Sequence, residues 1–131
     1  MPAEQASRAV GESLLPEERL RRRADFRRCY QQGRRYHGRL VTLYVLARTE
    51  EATCARLGIT VTRKVGGAVV RQKVKRRIRE IFRRWSQRRQ LLPCDIVVHV
   101  KPTANGASFD SLQTETLLLL QPLTRGGRQT G

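Results

Sequence analysis

The sequence predicts a two-layer α/β sandwich in which helices pack on a small sheet. Runs rich in apolar and β-branched residues at 40–48, 56–62 and 96–100 are typical of strands. Between the second and third runs, apolar residues recur every three or four positions over residues 68–89, which predicts a long amphipathic helix. Further helical signals lie near both ends of the chain. The predicted order is therefore helix, two strands, basic helix, strand, helix.

The first helix is predicted over residues 16–33. Pro16 and the two glutamates that follow it are typical of a first helical turn, and Gly33 is typical of a helix end. Phe26 and Tyr30 are four residues apart, so we expect them to share one face of this helix.

The first two strands are predicted to be joined by a polar turn at residues 50–53, and Pro93 and Pro102 bound the third strand. In the second strand, apolar residues alternate with Gly58, Thr60 and Thr62. Because successive strand residues point to opposite faces, both threonines are expected on one face of that strand.

The helix predicted over residues 68–89 has an apolar stripe and a basic side. The stripe must face a core, and it consists of Val70, Val74, Ile78, Ile81, Phe82 and Trp85. At about 100° per residue, further side chains gather within a sector of roughly 140° beside the stripe. These side chains are all cationic: Arg71, Lys75, Arg76, Arg79 and Arg83.

A closing helix is predicted over residues 108–121, with Ser108 or Asp110 as its N-cap. Its inward side chains are expected to be Leu112, Leu119 and Leu120. Residues 1–15 and 122–131 are polar or rich in turn formers and are expected to be mobile tails. The chain is thus predicted to form one domain over residues 16–121.

The charge of the chain points to a polyanionic partner. Lys and Arg number 27 against 11 Asp and Glu, a formal net charge of +16. The charge is also concentrated, because residues 19–89 contain 23 basic and 4 acidic side chains. Such an excess repels itself in a compact domain unless a polyanion neutralises it, so nucleic acid is the predicted partner.

The sequence does not predict a membrane or secreted protein. Its longest apolar runs, such as residues 117–120, fall far short of the roughly 20 residues that a membrane helix needs. The N-terminus has no signal-peptide pattern. Cys29, Cys54 and Cys94 lack the spacing of zinc ligands and are expected to be buried thiols, which favours a reducing cytoplasm.

No catalytic or metal-binding residue is predicted. The only histidines, His37 and His99, are 62 positions apart, and the acidic residues are too few for a two-metal nuclease. The chain also lacks the G-x-S-x-G turn of serine hydrolases. If this protein serves an enzyme, its partner is expected to carry the chemistry.

The strongest functional signal lies at residues 63–80. Arg63 and Lys64 precede two glycines, and a helix with rows of cations follows. Free amides at the helix start can meet phosphate, and guanidinium groups bind phosphate bidentately or stack on exposed bases. The alternative is a solvated amphipathic helix, but the 12 basic residues and one acid over residues 63–89 leave little internal pairing.

This segment resembles the signature of the bacterial ribonuclease P protein, in which a basic pair and a glycine-rich turn precede a basic helix. Arg71, Lys73, Lys75, Arg76 and Arg79 match its basic positions. The similarity continues in order over about residues 19–121 and includes Asp25, Phe26, Tyr30, Gly33, Leu43, Tyr44, residues 57–61 and residues 95–98. Gln72 and Gly67 depart from it, since the family usually has Asn at the position of Gln72 and often has Asn at that of Gly67.

The resemblance implies an α-β-β-β-α-β-α order over a four-stranded mixed sheet, with a left-handed crossover through the basic helix. It also implies that the first helix starts nearer Arg23 than Pro16. An additional short strand is expected around residues 66–69 or at the edge of the second hairpin.

The resemblance further implies a subunit that assists a catalytic RNA in removing the 5′ leader of precursor tRNA. Its partners would be ribonuclease P RNA and precursor tRNA, without a stable protein partner, and Mg²⁺ would be held mainly by the RNA. The surface for the catalytic RNA would comprise Arg63, Lys64, Arg71, Gln72, Lys73, Lys75, Arg76, Arg79 and Arg83. The 5′ leader would contact Phe26, Tyr30, Tyr44, Thr60 and Thr62.

Other functions remain open at this point. A ribosomal-RNA-binding protein or RNA chaperone would also suit a small α/β domain with a basic helix. A DNA-binding module would place residues 71–89 in a major groove. A metal-dependent protein nuclease is the least favoured alternative, because acidic residues are sparse.

Overall fold

The structure, a computed structural model, describes residues 14–49 and 51–125. Within these residues the chain forms three α-helices and four strands. In chain order they are α1 (Arg23–Gln32), β1 (Arg34–His37), β2 (Val41–Ala47), β3 (Arg56–Val61), α2 (Ala68–Arg84), β4 (Cys94–Val100) and α3 (Phe109–Leu120). The α-β-β-β-α-β-α order implied by the family resemblance is confirmed.

The four strands form one mixed sheet in the order β1-β2-β4-β3. β1 and β2 form an antiparallel hairpin, and β2 is antiparallel to β4. β3 runs parallel to β4, which requires a long connection, and α2 provides it. The first two predicted strands are therefore not neighbours, because β4 lies between them.

Helices cover both faces of the sheet. Alternate residues of β4, namely Ile96, Val98 and Val100, belong to the main core with α2 and α3. Val97 points to the opposite face, where it packs with residues of α1. The sandwich predicted with two layers thus has a third, formed by α1.

The first helix starts at Arg23, not at the predicted Pro16. Pro16–Glu18 forms only a 3₁₀ turn, and the backbone of the next residues is extended. The amide of Leu20 donates to the carbonyl of Leu57 on β3, and the Leu20 side chain is buried. This tertiary pairing competes with helix formation and separates the turn from α1.

The additional strand is β1, and the proposed position at residues 66–69 is wrong. Residues 66 and 67 precede α2, which begins at Ala68. β1 begins with Arg34 and Arg35 and is largely exposed. Its sequence therefore lacks the alternation of apolar and polar residues that would have predicted a strand. α2 also ends earlier than predicted, at Arg84, and a separate 3₁₀ turn follows at Arg88–Gln90.

Both ends of the described chain are packed, in contrast to the tails expected at residues 1–15 and 122–131. Leu14 is buried in the main core, and so is Leu123. Thr124 is buried and forms a β-bridge with Leu91. Residues 1–13, 50 and 126–131, which include most of both predicted tails, lie outside the described residues.

The three cysteines are free thiols. Cys29 and Cys94 are buried as expected, and burial raises the pKa of Cys29 to about 11 and that of Cys94 to about 12. Cys54 is only half-buried, and its thiol donates to the carbonyl of Glu17 at 3.4 Å. Two of the three thiols are thus held in the unreactive, protonated form at neutral pH.

The turn between β1 and β2 is fixed by a carboxylate from α3. Oε1 of Glu115 accepts the amide of Arg39 at 3.0 Å, and Oε2 accepts the amides of Leu40 and Val41 at 2.7 and 2.9 Å. A Cβ at Gly38 would lie 2.4 Å from Oε2, so glycine is needed for this close approach. Glu115 therefore joins the β1–β2 hairpin to the helix layer behind it.

We expect Glu115→Ala to lower the free energy of unfolding by about 1–3 kcal/mol, because three backbone amides at the β1–β2 turn lose their acceptor. Glu115→Gln keeps one acceptor oxygen and should lose less. Urea denaturation measures both variants, with Thr114→Ala as a control on the exposed side of the same helix. Equal stability of Glu115→Ala and the wild type would show that water replaces the carboxylate at no cost.

Candidate nucleic-acid interface

The apolar stripe of α2 holds its cations at the surface. Val74, Ile78, Ile81 and Phe82 are buried in the main core, so the rest of the helix faces solvent. The predicted residues Arg63, Lys64, Gln72, Lys73, Arg76 and Arg79 are exposed, while Arg71, Lys75 and Arg83 are half-buried. The structure thus brings the predicted basic residues together along one helix and the turn before it.

Glu80 neutralises one end of this basic surface. Its carboxylate pairs with Arg83 at 2.7 Å and with Arg84 at 2.8 Å. Arg83 is therefore engaged within the helix, a pairing that helical spacing of three residues allows. Within residues 14–49 and 51–125, the other cations of α2 have no carboxylate within ion-pair distance.

The start of α2 offers unpaired donors. Gly67 is the N-cap and provides no side chain to accept the first amides of the helix. Nε of Arg71, one turn later, is buried without a hydrogen-bond partner. A Cβ at Gly67 would meet nothing within 4 Å, so the space beside this end of the helix is open to an approaching phosphate.

A cavity of about 390 Å³ links the basic helix to α1. Lys75 and Arg79 line it from α2, and Phe26 lines it from α1. Gly58 of β3 forms part of its wall, and a Cβ there would lie 2.5 Å from Cζ of Phe26. Phe26 can lie against β3 only because residue 58 has no side chain.

A half-buried aromatic cluster lies between α1 and the sheet. The rings of Tyr30 and Tyr44 meet edge to face, with centroids 4.6 Å apart. Both tyrosines and Phe26 pack on a small core formed by Leu20, Cys29 and Val97. Three predicted leader residues are therefore neighbours, although α1 and β2 are far apart in sequence.

His99 completes this cluster and was missed by sequence reasoning. The Tyr30 hydroxyl lies 2.8 Å from Nδ1 of His99, and both tyrosine rings meet the imidazole edge to face. Burial lowers the pKa of His99. The available signal was a single polar residue within the apolar run at 96–100, between Val98 and Val100.

The two predicted threonines differ in position. Thr60 pairs with His99 in the register of β3 and β4 and is half-buried beside the aromatic cluster. Burial raises the pKa of Tyr30, and a hydrogen bond with the Thr60 side chain offsets part of this rise. Thr62 lies beyond the end of β3 and is exposed.

Buried charges hold α1 on the sheet. Arg56 of β3 donates two hydrogen bonds to the Asp95 carboxylate, both at 2.7 Å, and Asp95 is 4 % exposed. Asp25 of α1 lies 3.7 Å from the same guanidinium. Hydrogen bonding to Asp95 raises the pKa of Arg56. This network fixes the start of α1 and hence the position of the aromatic cluster.

The described residues contain no group of three or more His, Cys, Asp or Glu side chains arranged to hold a metal ion. None of the helices in this part of the chain is long and apolar enough to cross a membrane. The side chains brought together are thus cationic on α2 and aromatic or neutral polar between α1 and the sheet.

Comparison with known proteins assigns these features to one family. A family model described as Ribonuclease P matches residues 14–124. The ribonuclease P protein component of Desulfovibrio desulfuricans is 44% identical over 117 residues, which cover 86% of this chain and 88% of the relative. That of Acidothermus cellulolyticus is 37% identical over 90% of this chain and 98% of the relative.

Solved structures agree with this assignment. The RNase P protein of Staphylococcus aureus superposes with a TM-score of 0.71 at 33% identity, covering 79% of this chain and 92% of that chain. The RNase P protein of Thermotoga maritima gives a TM-score of 0.68 at 33% identity, covering 79% and 94%.

Removal of one partner of the Arg56–Asp95 pair should be strongly destabilising, because the other charge stays in the protein. We expect Asp95→Asn to lower the free energy of unfolding by about 3 kcal/mol, because it leaves a partly buried guanidinium without its counter-charge. Asp110→Asn, an exposed aspartate on α3, is the matched control. Chemical denaturation of both variants gives the comparison, and a loss no greater than that of the control would show that Asp25 or solvent compensates for the lost counter-charge of Arg56.

Proposed function

The chain belongs to the ribonuclease P protein family, and on that premise we propose how it assists the endoribonuclease of which it is a protein component. The α2 surface, with Arg63 and Lys64 before it, binds ribonuclease P RNA. The aromatic cluster binds the 5′ leader of precursor tRNA. Both surfaces serve removal of that leader to give the mature tRNA 5′ end.

One observation carries the first half of this proposal. The buried stripe of α2 fixes the helix to the core while a row of exposed, largely unpaired cations runs along its other side. A surface of this kind binds a phosphate backbone by releasing condensed counterions. Of the predicted residues, Arg83 contributes least, because Glu80 already holds its guanidinium.

The second half rests on the chemistry between α1 and the sheet. Half-buried aromatic rings and hydroxyls suit a single strand, whose unstacked bases bind aromatic side chains without requiring a particular sequence. The cavity lined by Phe26, Lys75 and Arg79 joins this cluster to α2. Single-stranded RNA that extends from the aromatic cluster can therefore bind cations of α2 through its phosphates.

The chemistry of cleavage belongs to the RNA in this proposal. Mg²⁺ would be held mainly by the RNA. The protein reduces phosphate repulsion and positions the leader. Free thiols in the buried core suit the bacterial cytoplasm, where we place the complex.

The alternatives fit less well. The comparisons do not favour a ribosomal-RNA-binding protein or RNA chaperone. A major-groove DNA reader would use α2 and leave the aromatic cluster between α1 and the sheet without a role.

Arg76→Ala combined with Arg79→Ala should weaken assembly with ribonuclease P RNA and flatten its salt dependence. Each lost phosphate contact lowers the slope of log affinity against log salt by about one. Little unfolding is expected, since both side chains are exposed. Filter binding across a salt series measures the slope.

The matched control for this pair is Arg39→Ala with Arg125→Ala, which removes two exposed arginines outside both proposed surfaces. The control should change the slope less than the α2 pair does. Equal slopes for the two double variants would assign RNA binding to net charge and not to α2.

Tyr44→Ala should weaken holoenzyme binding of precursor tRNA about tenfold through loss of one stacking platform. Mature tRNA has no leader, so its affinity should hardly change. Tyr36→Ala is the matched control, because Tyr36 packs on the main core at the other face of the sheet. That variant should melt earlier yet keep its discrimination between precursor and mature tRNA.

The readout is the ratio of the two affinities, measured under conditions where thermal melting shows each variant folded. A Tyr44→Ala protein that is folded and keeps the wild-type ratio would place the leader on another surface. An equal loss for both tRNAs would make Tyr44 a structural residue.

A further inference from the structure

We propose that His99 recognises one nucleotide of the leader, by donating a hydrogen bond from Nε2 to an acceptor on its base. The inference rests on the proposed function of the aromatic cluster and adds a residue to it. It makes His99 a specificity-determining residue, whereas the rings of Tyr30 and Tyr44 accept any base by stacking.

His99 occupies the middle of a polar row across the sheet. In the strand register, Thr42 of β2 lies on one side of it and Thr60 of β3 on the other. Tyr30 of α1 lies above it, and Tyr44 is its neighbour on β2. The imidazole is thus enclosed on three sides by strands and helix.

The hydrogen bond to Tyr30 determines which nitrogen of His99 carries the proton. A phenol is a stronger donor than a neutral imidazole N–H, and an imidazole nitrogen is a stronger acceptor than a phenol oxygen. Tyr30 therefore donates to Nδ1 across the 2.8 Å contact. With Nδ1 as the acceptor, the hydrogen of the neutral ring is on Nε2.

Nε2 remains available for a ligand. Within the described residues Nε2 makes no hydrogen bond. The one side-chain hydrogen bond of His99 there is that of Nδ1 with Tyr30, and its ring contacts are with Tyr30 and Tyr44. Among the described residues, Nε2 of His99 is not one of the buried side-chain atoms that lack a hydrogen-bond partner. Because it has no partner, it must be accessible at the surface of the cluster. The Nε2–H group is thus an accessible donor of fixed direction beside the rings of Tyr30 and Tyr44.

The surroundings keep this donor uncharged. The groups that face it are the phenols of Tyr30 and Tyr44 and the hydroxyls of Thr42 and Thr60, none of which is charged at neutral pH. His37 lies farther along the same row and meets Thr42 at 3.5 Å. Burial lowers the pKa of His99, and protonation would also remove the acceptor for Tyr30.

An uncharged donor selects a base and not the backbone. Phosphates bind cations most strongly, and the protein supplies those on α2. A neutral N–H beside two stacking rings instead matches the polar edge of a base that lies against one of them. The acceptor is therefore a ring nitrogen or carbonyl oxygen of that base.

The test is a substitution cycle on the assembled holoenzyme. Precursor tRNAs with a single abasic site at each leader position in turn are bound by the wild type, His99→Leu and His99→Gln, with mature tRNA as the reference. The abasic penalty is the factor by which loss of one base weakens binding. At one position this penalty should be about fivefold smaller in His99→Leu than in the wild type, because one neutral hydrogen bond contributes about that factor to affinity. His99→Gln keeps an amide donor and should retain most of the penalty.

A second series replaces each leader phosphate with an uncharged methylphosphonate. A His99-dependent penalty in this series, with none in the abasic series, would overturn base recognition. Tyr30→Phe keeps the ring but removes the hydroxyl that orients the imidazole, so it should reproduce part of the His99→Leu effect.

The outcomes separate this inference from the proposed function. If the wild type binds precursor more tightly than mature tRNA and His99→Leu shows the same abasic penalty at every position, the role of His99 is refuted and the leader surface stands. If the wild type binds precursor and mature tRNA with equal affinity, both the leader surface and the role of His99 are refuted.

Discussion

The arrangement of both surfaces depends on the paired charges of Arg56 and Asp95. Without them, α1 would be held on the sheet by the small core of Leu20, Cys29 and Val97, by the aromatic residues packed on it, and by the contact between Tyr30 and His99. The two hydrogen bonds at 2.7 Å link neighbouring parallel strands, and Asp25 extends the network to the first turn of α1. A buried pair of this kind stabilises little overall, but it penalises any other placement of the helix.

The parallel pairing of β3 with β4 connects this network to function. It requires α2 as a crossover, and it places β3 at the sheet edge next to both helices. Gly58 at that edge lets Phe26 approach from one side, while Lys75 and Arg79 approach from the other. The cationic and aromatic surfaces are neighbours because both border the same strand.

The elements that sequence reasoning found are those whose pattern is local. The stripe of α2 repeats with the helical period, and prolines bound β4, so both could be predicted without tertiary information. β1 could not, because its arginines are exposed and its strand conformation comes from pairing with β2. The start of α1 is likewise set by a hydrogen bond between Leu20 and Leu57.

The same distinction applies to the candidate site. The cations of α2 were predictable, since helical spacing alone places them on one side. Phe26, Tyr30 and Tyr44 entered through the family resemblance, because spacing along α1 or β2 does not show that the two elements meet. His99 stands out in sequence only as a polar residue in an apolar run, and its role could not be predicted, since its partner Tyr30 is 69 residues distant and only the folded sheet brings them together.

The two surfaces differ in the physics by which they bind RNA. Binding by the α2 cations gains free energy from counterion release and weakens steeply with salt. Stacking and uncharged hydrogen bonds between α1 and the sheet depend much less on ionic strength. A protein built this way can assemble with its RNA through charge and still distinguish substrates through contacts that charge does not dominate. Rising salt should therefore loosen the assembled particle before it erases the preference for a leader.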